Sequence, residues 1–92
     1  IQAQLDAVDT HAYWQHPSFP AGDWDPERWT VGNVSMITDP SGGNASSLSL
    51  YKVQGKPHLL TEYDHPSPNP HAAEAAPLIA AYAALQDWDG VF

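Results

Sequence analysis

The stretch from His58 to Phe92 does most to limit what this chain can fold into. His58-Leu59-Leu60-Thr61-Glu62-Tyr63 is a short apolar run closed by polar residues, and it reads as a buried strand with Glu62 at its C-terminal end. Asp64-His65-Pro66-Ser67-Pro68-Asn69-Pro70 follows. Its prolines lack the backbone donor a helix needs, so this is a loop. Residues 71–86 then read as a helix, because Ala72, Ala73, Ala75, Ala76, Leu78, Ile79, Ala80, Ala81, Ala83, Ala84 and Leu85 have high helix propensity or pack well. Asn69 is its expected N-cap, with Pro70 in the first turn. Apolar on nearly every side, the helix is expected to be largely buried. Gly90-Val91-Phe92 reads as the start of another strand. Strands joined through a crossover pair in parallel, which gives an α/β layer arrangement.

The N-terminal half is less regular. Residues 5–14 read as a strand that loads with aromatics and runs into a functional loop. Residues 15–45 are punctuated by proline and glycine, among them Gly32, Pro40, Gly42 and Gly43, and read as loop. A loop of that length in a small domain is usually functional or disordered. Periodicity leaves residues 46–54 open between helix and strand, with Gly55 as a stop. The chain has 92 residues, so one small domain is the limit.

Charge narrows the partners. Three Lys and Arg stand against 11 Asp and Glu, for a net charge of -8. Arg28, Lys52 and Lys56 cannot build the basic patch that a phosphate backbone requires, so no nucleic-acid partner is expected. Nor is attraction to an anionic membrane expected. No apolar run approaches the ~20 residues of a membrane span. A neutral or cationic partner stays open, and a sugar is neutral. With no cysteine, disulfide scaffolds and thiolate metal sites are excluded, and the redox compartment is left open. The first residues carry neither the basic region nor the apolar region of a signal peptide. The chain begins without Met and is expected to be a processed or excised segment.

The residues with chemical potential fall at strand ends: His11, Tyr13 and Trp14 after the first strand, Glu62 and Tyr63 after the second. In α/β barrels that is where functional residues sit. Gly-Lys-Pro…Thr-Glu-Tyr-Asp-His-Pro…Pro-Asn (Gly55 to Asn69) and Ala-Ala-Tyr-Ala-Ala-Leu-Gln-Asp-Trp-Asp-Gly (Ala80 to Gly90) resemble the last part of clan-A glycoside hydrolases, retaining (β/α)8-barrel enzymes, in their large bacterial form. The resemblance implies a single partial-barrel domain over residues 1–92, holding about strands six to eight, and β-linked oligo- or polysaccharide as substrate. Glu62 matches the nucleophile at the end of strand seven. His11-Ala12-Tyr13 matches a sugar-site pair at the end of strand six, and Trp88-Asp89-Gly90-Val91-Phe92 leads into strand eight. An extracellular or periplasmic location is implied in the same way. The chain departs from the family in supplying about three strands of eight and no Asn-Glu segment for the acid/base. Retaining hydrolysis uses two carboxyl groups about 5–5.5 Å apart, and Glu62 is one.

The expected site is therefore catalytic Glu62, with His11, Tyr13, Trp14, Tyr63, His65 and Trp88 as substrate contacts. Aromatic faces stack on the apolar faces of sugar rings. His11 and His65 are expected to bond near a carboxylate. No cofactor is needed for this chemistry. No metal site is expected: Glu62-x-x-His65 would suit a helix, but Pro66 and the strand place it on extended chain. Trp24 and Trp29 are expected to pin the long loop, Asp23, Asp25 and Glu27 to form a solvated face, and Glu74 to support the helix dipole. There is no Gly-rich phosphate loop and no Gly-x-Ser-x-Gly elbow. The alternatives are a non-catalytic carbohydrate-binding module that keeps the aromatic surface, and an inert fragment. Open sheet edges predict a homo-oligomer or contact with a missing remainder.

Overall fold

The computed structural model describes residues 4–22 and 24–92. Asp23, expected on a solvated loop face, lies outside the described residues. Three strands, β1 (Val8–Tyr13), β2 (His58–Asp64) and β3 (Gly90–Val91), form one sheet in the order β1-β2-β3. Both pairings are parallel. The chain is thus a small α/β unit, as the strand–crossover pattern requires.

Two helices supply the crossovers, α1 (Gly43–Ser49) and α2 (Ala75–Leu85). Both helices pack against one face of the sheet. Leu48 of α1 and Ile79 of α2 meet Leu60 of β2, with Ala12, Tyr63 and Trp88 around them. Val8, Thr10, His58 and Leu60 are buried beneath the helices, while Asp9, His11 and Tyr13 alternate onto the opposite, open face.

A β-bulge breaks this alternation in β2. Thr10 pairs with Leu60, but His11 pairs with Glu62, so Thr61 is an extra residue on β2. Thr61 and Glu62 are consecutive, yet both are exposed beside His11.

Several expectations change. Of the segment 46–54, residues 46–49 are the end of α1 and residues 50–54 are turn and irregular chain, and the loop expected over 15–45 contains the start of that helix. Gly42 and Gly43 both have positive φ, 80° and 56°, and the Met36 side chain occupies the space a Cβ at Gly43 would need. The helix expected over 71–86 is a 3-10 turn at Ala72–Glu74 followed by α2. Pro77 is the reason: its missing N–H is tolerated only in a first turn. Asn69 does not cap α2; its Oδ1 accepts the His71 N–H at 2.8 Å and closes a turn. The largely buried helix is also corrected. Only Ile79 of α2 is buried, and Ala76, Ala80, Ala84 and Leu85 face outward. A three-stranded sheet is too narrow to cover more than one side of it.

Glu74 stands at the N-cap of α2, where the helix dipole favours a negative charge, and it also serves tertiary structure. Its Oε2 accepts the Met36 N–H at 2.9 Å, and its Oε1 lies 3.3 Å from His71 Nδ1. It ties the long loop to the start of α2, and those donors, with Ser35, hold its carboxyl below the usual range. At the other end of α2, Lys52 donates to the carbonyls of Gln86 and Asp87, where a helix leaves acceptors unpaired.

Candidate functional site

Parallel strands send their C-terminal ends to one side, and there β1 and β2 bring His11, Tyr13 and Glu62 together. The Tyr13 hydroxyl donates to Glu62 Oε1. His11 Nδ1 lies 3.5 Å from Glu62 Oε2. On the far side of the imidazole, His11 Nε2 is 2.8 Å from Thr61 Oγ1 and 3.2 Å from Asp9 Oδ2, and the Thr61 hydroxyl donates to Asp9 Oδ1 at 2.7 Å. His11 thus stands between two carboxylates, Asp9 and Glu62.

These contacts perturb two groups. The hydrogen bond to Glu62 and the negative charges of Glu62 and Asp64 raise the Tyr13 phenol above its ordinary value, since a phenolate there would meet like charge. The Thr61 hydroxyl and His11 hold the Asp9 carboxyl below its ordinary value.

Beside this array is an open cavity of about 490 Å³, lined by Tyr13, His16, Pro17, Trp24, Glu62, Asp64 and Pro66. Trp24 is 73 % exposed and packs edgewise on His16 and against Phe19. It lines the cavity, and its ring contacts are with residues of its own loop. Trp29 does not line it.

The other expected contacts are engaged elsewhere. Trp14, one residue past β1, turns away from the cavity; its indole N–H donates to the Val34 carbonyl at 2.8 Å. Tyr63 lies on the helix-covered face, with its hydroxyl 2.9 Å from His65 Nε2. Burial pushes the Tyr63 phenol up to about 12. His65 is fully enclosed, and burial lowers its pKa. Trp88 stacks on buried His58 at 4.9 Å between ring centroids. Alternation explains this division: Glu62 and Asp64 point to the open face, while Tyr63 points to the core. Among the described residues no group of three His, Asp or Glu side chains could hold a metal ion.

Asp9, Thr61, Asp64 and His16 were not anticipated at the site. The spacing Asp9-x-His11-x-Tyr13 was legible as one face of a strand. The bulge that brings Thr61 to that face has no sequence signature of its own here. Comparison with protein-family models, curated proteins and solved structures found no match.

Proposed function

We propose that this chain is an arc of a (β/α)8 barrel from a retaining glycoside hydrolase acting on β-linked sugars, with Glu62 as the nucleophile. One observation carries the reading: Glu62 stands at the C-terminal end of the central parallel strand, in a cavity with an exposed tryptophan, and accepts a hydrogen bond from Tyr13. Helices on one face of a parallel sheet, with the polar side chains gathered toward the C-terminal strand ends, also fit a barrel wall. Tyr13 and His11 orient the carboxylate, and Trp24 offers a stacking face for a pyranose ring. The reading needs a second carboxyl as acid/base, and these residues hold no Asn-Glu segment to supply it.

An activated 2-deoxy-2-fluoro aryl glycoside tests this without needing the acid. A Glu62 oxygen attacks the anomeric carbon, the C–O bond to the aryl group breaks, and the electron pair leaves with the aryloxide. The glycosyl ester then accumulates on the peptide containing Glu62, and mass spectrometry detects it. The Glu62→Gln variant is expected to show no label. The exposed face of Trp24 equally suits a carbohydrate-binding module. Unlabelled wild-type protein, with oligosaccharide binding kept in both forms, would decide for that second reading.

A further inference from the structure

We infer that the cavity beside Glu62 prefers β-linked oligosaccharides bearing free amines, of the glucosamine type, over neutral and carboxylated ones. The inference rests on the reading of this cavity as a sugar site and concerns which sugar it takes. Two of its seven lining residues are carboxylates, Glu62 and Asp64, and none is Lys or Arg. His16 lines the cavity and His11 flanks Glu62, while the three Lys and Arg side chains are committed elsewhere. Arg28 pairs with Asp25 at 3.1 Å. Lys52 and Lys56 line a separate cavity at the start of β2, with Asp87 and Asp89.

The two carboxylates differ in what they leave free. Glu62 is held at one oxygen by Tyr13 and flanked at the other by His11. Asp64 accepts the His65 N–H at Oδ1, at 2.7 Å, and among the described residues nothing donates to its Oδ2. Residues two apart on a strand share a face, at about 7 Å. An amine on a ring bound over Glu62 is therefore within reach of Asp64, while the indole of Trp24 and the ring of Tyr13 supply faces for the sugar and for the cation. A carboxylated sugar would meet two like charges in the same place. Neutral sugars keep the stacking and offer Asp64 only an uncharged hydroxyl donor, a weaker partner than an ammonium.

Calorimetric titration of the full chain with β-1,4-linked glucosamine, N-acetylglucosamine, glucose and mannuronate trimers, at low salt and about pH 6, reads the preference. The glucosamine trimer is expected to bind about three- to tenfold more tightly than the glucose trimer, and the mannuronate trimer most weakly. Asp64→Asn keeps an acceptor for the His65 N–H, so the fold is retained. It is expected to bring the glucosamine trimer down to the affinity of the glucose trimer and to leave the latter unchanged. Glu27→Gln, which removes an exposed charge outside the cavity, is expected to keep the preference. Equal affinities for the glucosamine and glucose trimers would overturn the inference and leave the sugar-site reading standing. Equal loss of preference in both variants would also overturn it, by reducing the effect to net charge. If no trimer binds, the sugar-site reading falls and the inference falls with it.

Discussion

Leu60 and Leu85 are the same residue in opposite environments. Leu60 is fully buried in the middle of β2, between Leu48 and Ile79. Leu85 ends α2 and is 77 % exposed. Leu60→Ala removes three buried carbons, worth roughly 2.4 kcal/mol of transfer free energy at ~0.8 per carbon. A cavity penalty adds to this where the flanking helices do not collapse, so the total is expected near 3–4 kcal/mol. A domain of this length has roughly 5–14 kcal/mol of stability in all. The substitution should therefore lower Tm by roughly 12–32 °C and reduce the urea midpoint without changing the slope. Leu85→Ala is expected to cost less than about 0.5 kcal/mol, as an exposed surface change does. The assay is paired urea and thermal unfolding followed by far-ultraviolet circular dichroism, at two protein concentrations. A Leu85→Ala cost equal to or above that of Leu60→Ala would refute the assignment of the core to the inner side of α2. If that cost also grew with protein concentration, the outer side of α2 would be an interface between copies.

Three further outcomes follow from the same contacts. His58 and His65 are buried, and burial lowers the pKa of each. The unfolded chain then takes up protons first, so the stability associated with the neutral rings is complete above about pH 6.5. It is lost as pH falls below that value, by up to ~1.4 kcal/mol per pH unit for each ring, and urea midpoints from pH 8 to 5 measure it; a flat profile would count against both burials. In a tyrosine-ring NMR titration, Tyr63 should titrate near 12 and Tyr13 above its ordinary value, with Glu62→Gln moving Tyr13 back down and leaving Tyr63 in place. Gly43→Ala puts a Cβ 2.3 Å from Met36 Cγ at a φ of 56°. It is expected to cost about 2 kcal/mol or more, and a smaller cost in a Met36→Ala background would show that Met36 supplies the steric part.

The pattern of residues 58–92 determined the order of elements by itself: an apolar run, a proline-barred loop, an alanine-rich helix and a closing Gly-Val. Parallel pairing then follows from chain connectivity, because a crossover with a helix in it returns the next strand in the same direction. Glu62 and Tyr13 were legible as neighbours for that reason, both lying at C-terminal strand ends. Helix burial was not legible. Alanine content fixes propensity but not which side meets the sheet, and a sheet of three strands leaves most of α2 uncovered. Pro77, which sets where α2 begins, was the local signal that bore on its start.

Only tertiary structure decided which side chains share the site. Strand alternation sends Tyr63 and His65 inward, and an indole hydrogen bond to Val34 draws Trp14 to another part of the loop. The bulge at Thr61 turns two consecutive residues toward His11, and it arises from the pairing of β1 with β2 across 50 residues. Sequence therefore named Glu62 and its strand. The register between strands, a property of two distant segments at once, gave Glu62 its neighbours Tyr13, His11, Asp9 and Thr61.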